Sequence, residues 1–276
     1  MKYIISLFIM AGIVVQAQQL KLPALSPTAT ITQAFSTSEI EISYSRPSMR
    51  GRVIFGDLVP YGKVWRTGAN AATKVTFGEE VEIGGSKIQP GTYSMYTVPG
   101  ATEWEVIFNR NTGNWGAYGY SKDDDVARFK VKPATLVTPV ETFTIAITSI
   151  TFASCNIELS WERTKVIIPV IAHNQERLNK QIEQAINNPS IPYHQAATYY
   201  FETNQNLDKA LEYATKAGEA NPKAYWVFML KARIAAKLGD KETARESVAT
   251  AINVAKGSAD EAGYAKMGKE ILDSLK

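Results

Sequence analysis

Hydrophobic and polar residues alternate along the first part of the chain and then change period. Ile40, Ile42 and Tyr44 alternate with Glu39, Glu41 and Ser43, and Trp104, Val106 and Phe108 alternate with Glu103, Glu105 and Ile107. Phe143, Ile145 and Ile147 do the same against Thr142, Thr144 and Ala146, as do Ile157, Leu159 and Trp161 against Asn156, Glu158 and Ser160. A period of two is that of strands with one face buried. Gly84-Gly85, Pro90-Gly91, Pro99-Gly100 and Asn111-Thr112-Gly113-Asn114 mark turns between such stretches. About nine or ten short strands with no helical stretch between them predict an antiparallel sandwich or barrel over residues 18–170.

Near residue 170 the period lengthens. Leu178, Ile182 and Ile186 recur every fourth residue, as on one face of a helix. From Tyr193 onward the pattern predicts five helices, punctuated at Asn204–Asn206, Asn221-Pro222, Gly239-Asp240 and Gly257-Ser258. The fold class is therefore α+β multidomain, an all-β unit followed by helical hairpins over residues 171–276. Ala210 and Ala244, Ala214 and Val248, and Ala217 and Ala251 share one offset of 34 residues. That period, with small residues at these points, resembles the tetratricopeptide repeat, in which small side chains let antiparallel helices approach closely. Two units are too few to stand alone, so flanking helices or the β unit must cover their ends.

The N-terminus reads as an export signal. Lys2 precedes an apolar stretch from Tyr3 to Val15, and Val15-Gln16-Ala17 offers small residues where a signal peptidase reads them. Residues 1–17 are the expected signal peptide, and the mature chain is expected in the periplasm or outside the cell, with no membrane span after cleavage. Charge is balanced: residues 18–170 carry 15 Lys+Arg against 14 Asp+Glu, and residues 171–276 carry 14 against 13. This balance argues against nucleic acid as a partner. The single Cys155 has no disulfide partner and is expected to be a structural thiol in a turn.

Locally the charge is not balanced. Between Ile42 and Phe77 stand Arg46, Arg50, Arg52, Lys63, Arg66 and Lys74, with Asp57 the only acid. Guanidinium groups bind carboxylates, phosphates and sulfates through two parallel hydrogen bonds. Tyr61 and Trp65 lie among these cations and Asn70 follows them, which makes Arg46, Arg50, Arg52, Tyr61, Trp65, Arg66 and Asn70 candidates for binding an anionic or polar ligand. The competing reading pairs the arginines with Glu39, Glu41 or Asp123–Asp125 and makes the segment a braced loop. Trp115 and Tyr118, in Asn114-Trp115-Gly116-Ala117-Tyr118-Gly119-Tyr120, form either a stacking platform for a sugar or a cover for a sandwich edge. Asp123-Asp124-Asp125 lacks the spacing of a calcium loop and reads as a solvated turn or helix cap. His173 and His194 stand 21 residues apart without companions at metal spacing, so no metal or cofactor is expected. No catalytic set is nominated by the residues.

The uninterrupted run Ser45-Arg46-Pro47-Ser48-Met49-Arg50-Gly51-Arg52, followed by Phe55-Gly56-Asp57-Leu58-Val59-Pro60-Tyr61-Gly62-Lys63-Val64-Trp65-Arg66-Thr67-Gly68-Ala69-Asn70, is specific. With Gly91–Pro99 and Asn114–Tyr118 it resembles an exported bacterial family known as domain of unknown function 2911, over about residues 30–170. The resemblance implies a secreted or periplasmic β-rich domain of Gram-negative bacteria and implies no reaction. The leading expectation is an exported, non-catalytic binding protein, in which the helical module receives a peptide or protein. The alternatives are a cell-envelope or dietary glycan-processing enzyme and a structural component of an envelope assembly.

Overall fold

The computed structural model describes residues 22–186 and 192–276. The expected signal peptide lies outside the described residues. The β unit contains β1 (Thr28–Phe35), β2 (Ser38–Ser45), β3 (Thr73–Phe77), β4 (Val81–Ile83) and β5 (Ser86–Ile88). It continues with β6 (Gly91–Val98), β7 (Trp104–Asn109), β8 (Asp125–Val131), β9 (Ala134–Thr148) and β10 (Ser154–Ala172). Six helices follow among the described residues: α1 (Gln175–Ile186), α2 (Tyr193–Glu202), α3 (Leu207–Ala220), α4 (Tyr225–Leu238), α5 (Lys241–Ala255) and α6 (Glu261–Ser274). The all-β unit and the run of helices match the α+β arrangement expected from the two periods, and α2–α6 are the five helices expected after Tyr193. No described helix is long and apolar enough to cross a membrane.

The strands form two antiparallel sheets, one of order β1-β2-β3-β6-β7-β8 and one of order β5-β4-β10-β9. Their inward residues make a single core: Ile40, Ile42 and Tyr44 of β2, Trp104, Val106 and Phe108 of β7, Phe143 and Ile145 of β9, and Ile157, Leu159 and Trp161 of β10. After β2 the chain crosses to the other sheet. Phe143 N donates to Pro47 O at 2.8 Å and Met49 N to Glu141 O at 2.8 Å, which lays residues 46–49 along the outer edge of β9 and closes that side of the sandwich. The Tyr44 hydroxyl ties the same corner from inside. It donates to Ile145 O at 3.2 Å and accepts from Ile145 N at 2.9 Å.

β10 changes parity part-way. Cys155, Ile157, Leu159 and Trp161 face the core, and beyond Glu162 the inward set is Val166, Ile168, Val170 and Ala172. The pairing with β9 shifts on both sides of Glu162, whose φ is +55°: Ser160 to Thr164 lie opposite the longer stretch Thr144 to Thr135, so the surplus residues are on β9, and across this irregularity the inward set of β10 moves by one position. β10 remains paired to Ala172, opposite Val81, so strand pairing continues past residue 170. Cys155 is in this strand rather than in a turn, because the β9–β10 connection closes before it. The thiol is buried, and burial pushes its pKa up to about 11.

The outer face of the six-stranded sheet is not simply solvated. Tyr96 and Ile107 are buried there with Ala72, against Val98 at the end of β6 and against Val64 and Tyr120 from two overlying loops. These loops, residues 46–72 and 110–121, carry the candidate residues. The helices attach elsewhere. Arg177 of α1 bonds Thr37 at 2.7 Å and Glu79 at 2.9 Å, His173 meets Glu82 at 2.6 Å, Asn174 bonds Ser36, and Tyr199 packs edge-on against Phe152. Ser36 and Thr37 form the β1–β2 turn, where β2 begins, and the arginine-rich loop starts where β2 ends. A strand of 8 residues separates the two, a distance of about 25 Å. Within the helical unit, Ala210, Ala214 and Ala217 of α3 and Ala244, Val248 and Ala251 of α5 are all buried. The residues that share the 34-residue offset are thus buried in both helices.

Candidate functional site

The segment from Arg46 to Ala72 joins β2 to β3 and is held by scattered contacts rather than by regular pairing. Trp65 exchanges two main-chain bonds with Thr97, and Gly62 N donates to Pro99 O at 2.8 Å. Several residues adopt left-handed backbone: Arg50, Thr67 and Asn70 at φ +51°, +53° and +59°. For the β-branched Thr67 this conformation is costly. It persists because the Thr67 side chain is buried, within 3.1 Å of the Thr97 hydroxyl, while Thr67 O accepts the Thr73 hydroxyl at 2.6 Å.

Trp65 anchors the loop. Its ring stacks on Trp161 at 5.9 Å with 17° between planes, and Phe55, Trp104 and Phe143 meet it edge-on. Its indole N–H donates to Gly68 O at 3.0 Å. Trp65 is therefore mostly core, the floor of the site rather than a free stacking surface.

Among the described residues the four arginines of this loop form no ion pair, and the arginines that do form one are Arg128, Arg177 and Arg233. Arg46 donates to Phe143 O at 3.1 Å and to the Thr144 hydroxyl at 2.9 Å. Arg50 donates to Leu25 O at 3.3 Å, and its own amide to Glu141 at 2.9 Å. Arg52 donates to Ser48 O at 2.7 Å and Met49 O at 2.9 Å, and Arg66 to Asn70 O at 2.8 Å. The bracing acids of the competing reading are absent from these contacts. Neutral carbonyls orient a guanidinium while leaving its charge uncompensated, so the positive potential survives at the surface.

Two of the arginines converge. Arg52, Arg66 and Asn70 line a cleft of about 310 Å³ floored by Trp65 and Trp161 and bordered by Ser26. Asn70 bonds Ser26 O at 3.3 Å and the Ser45 hydroxyl at 3.2 Å, which fixes its side chain at the rim. A second cleft of about 190 Å³ adjoins it, lined by Lys63, Arg66, Pro60, Val64 and Ala117. The two share Leu58, Val59, Trp65 and Arg66, and among the described residues no acidic one lines either. Arg46 and Arg50 lie outside both clefts, directed at β9 and at the N-terminal segment. Tyr61 is exposed and also outside them, its ring lying over Gly56.

The 110–121 loop meets this site at Arg66. A Cβ on Gly116 would lie 2.9 Å from the guanidinium carbon, so the glycine lets Arg66 rest against the loop backbone. On either side of Gly116-Ala117, Trp115 is 67% and Tyr118 82% exposed. They do not cover the sandwich. That role falls to Tyr120, which packs on Tyr96. The base of the loop is fastened by charge: Asp125 accepts from Asn109 at 2.9 Å, Tyr120 at 2.8 Å and Arg128 at 3.1 Å, and Arg128 also pairs with Glu105. Burial, reinforced by the bond to Asp125, pushes the Tyr120 phenol up to about 12. Asp123 and Asp124 lie in a single helical turn capped by Ser121. Among the described residues no three His, Cys, Asp or Glu side chains gather as a metal site would require.

The family described as Protein of unknown function (DUF2911) has a model that matches residues 26–170. The chain belongs to that family. The DUF2911 match begins at Ser26, on the rim of the larger cleft, and ends inside β10. It thus contains both clefts and none of the helices. No curated protein and no solved structure matches the chain.

Sequence reasoning missed three parts of this site. Lys63 stands among the loop's cations with nothing to mark it as part of the site, Ser26 carries no signal, and Glu162 gives no hint of the strand irregularity from which it caps Ile54 N and Phe55 N at 3.4 and 3.5 Å. A cation two residues before the anchoring tryptophan could have nominated Lys63. Nothing local could have placed Ser26.

Proposed function

We propose that the chain is an exported, non-catalytic binding protein whose DUF2911 domain takes a small anionic or polar ligand in the cleft of Arg52, Arg66 and Asn70. The observation that carries this reading is that, among the described residues, none of the four loop arginines forms an ion pair and two of them line one cleft without an acidic neighbour. A braced loop would place carboxylates on those guanidinium groups, as happens around Arg128. Export rests on the signal sequence. Intact mass of the secreted protein should begin at Gln18, and retention of Met1 would contradict export. The helical unit is read as a tetratricopeptide-like module that receives a peptide or protein, supported by the buried small residues at the 34-residue offset.

The test is titration of glucuronate and glucose 6-sulfate, with glucose as the neutral control, followed by calorimetry and by melting temperature. The reading predicts binding of at least one charged sugar at millimolar concentration or better, and its loss in an Arg52→Ala/Arg66→Ala variant that still folds. Equal response to glucose and to the charged sugars, or undiminished binding by the variant, would contradict it.

A further inference from the structure

The two clefts share four lining residues, and their cations are in series: Arg52 in the larger cleft alone, Arg66 in both, Lys63 in the smaller cleft alone. None of the three is neutralised by a carboxylate among the described residues. The smaller cleft, about 190 Å³, lies below the usual range for a small-molecule site, about 300–1,000 Å³, and the larger, about 310 Å³, is at its lower end. A compact anion would need only one of them. A groove with charges spaced along it suits a ligand that repeats its charge along its length.

The rim supplies the second half of the argument. Gly116 rests on Arg66 and Ala117 lines the smaller cleft, while their neighbours Trp115 and Tyr118 are among the most exposed aromatic side chains of the described residues. Large aromatics held at a polar rim, one side wet, are suited to stack on a ligand with apolar faces and polar edges. A pyranose ring is such a ligand: its C–H groups form the faces and its hydroxyls the edges. Asn70, already oriented by Ser26 and Ser45, stands where hydroxyls would be read. A bare polyanion has no use for the aromatics, and a neutral glycan has no use for the three cations.

We propose that the two clefts form one groove for an acidic oligosaccharide, with carboxylate or sulfate groups on successive sugars meeting Arg52, Arg66 and Lys63 and with ring faces on Trp115 and Tyr118. This rests on the anion-binding reading above and adds to it a prediction about length. The near-neutral charge of the whole domain disfavours a nucleic acid, which needs a broad basic face.

The experiment is calorimetric titration of the mature protein with two ladders, galacturonate oligomers of one to six sugars and sulfated galactan oligomers of the same lengths. Neutral cello-oligosaccharides and a polyphosphate of equal charge serve as comparisons. The expected result is affinity rising at least tenfold from monomer to tetramer in one acidic ladder and levelling off thereafter. The ladder that shows the gain distinguishes a carboxylated from a sulfated glycan. In a Trp115→Ala/Tyr118→Ala variant the gain with length should disappear, and these exposed substitutions leave the core untouched. A monomer that binds with no gain from added sugars would overturn the groove while leaving the anion site standing. Polyphosphate binding as tightly as the tetrasaccharide, an equal gain in the neutral ladder, or a gain unchanged in the double variant would each overturn the glycan assignment. No binding by any acidic sugar, monomer included, would overturn both readings.

Discussion

Arg128 and Arg66 belong to the same β domain and meet opposite surroundings. Arg128 is gripped by Asp125, Glu105 and the Tyr120 hydroxyl, and the Asp125 side chain is only 8% exposed. Its charge is consumed in fastening the base of the 110–121 loop to β7 and β8. Arg66 touches the same loop at Gly116, but the one hydrogen bond its side chain makes among the described residues is to the carbonyl of Asn70. One arginine is structural and neutralised; the other is oriented and left charged. The difference separates a residue that holds a fold together from one prepared for something outside it, and residue type alone does not reveal it.

Four substitutions break or sharpen this contrast. The largest effect is expected beneath both loops. Trp161→Ala removes the ring that stacks on Trp65 and should cost about 3–5 kcal/mol of stability, read by denaturant unfolding. The cleft floor is lost with it, so ligand binding and folding should fail together. Arg128→Ala leaves Asp125 with little solvent and without its cation. A loss of about 1–3 kcal/mol is expected, visible as a lower denaturation midpoint. Gly116→Ala probes the contact between the regions. With φ at +71°, an alanine there costs about 1–2 kcal/mol, and its Cβ would displace the Arg66 guanidinium. Weaker binding of glucuronate at a modest cost in melting temperature is the expected pair of results. Arg66→Ala comes last in stability, within about 0.5 kcal/mol of the parent, as for a surface substitution that strands no partner.

How much of this was legible in the sequence follows the range of the interactions. Strand alternation and the turn glycines are local, so β2, β7 and the Gly84-Gly85 hairpin were readable from Ile40, Trp104 and their neighbours. The helix punctuation at Gly239-Asp240 was equally local: Gly239 takes the left-handed position and Asp240 caps α5 through Thr243. The parity change at Glu162 was not readable, because the irregularity is set by pairing with β9. Burial of Ile107 was not readable either, since its cover comes from loops distant in sequence. For the site, composition pointed to the arginine-rich run as a whole but could not sort it. Arg46 and Arg50 turn away to β9 and Leu25, whereas Arg52 and Arg66 meet across Trp65. That division depends on the chain crossing between sheets at Pro47, a tertiary event with no local signature.

The most direct test compares Arg66→Ala with Arg128→Ala in one experiment, measuring melting temperature and glucuronate affinity for each against the parent protein. The account predicts a crossed result. Arg66→Ala should keep its melting temperature and lose about 10- to 150-fold in affinity, the equivalent of one charge-assisted contact of about 1.5–3 kcal/mol. Arg128→Ala should melt lower and, while folded, bind more nearly as the parent does. A large drop in melting temperature for Arg66→Ala with glucuronate affinity unchanged would show that Arg66 braces the loop, and would contradict the account.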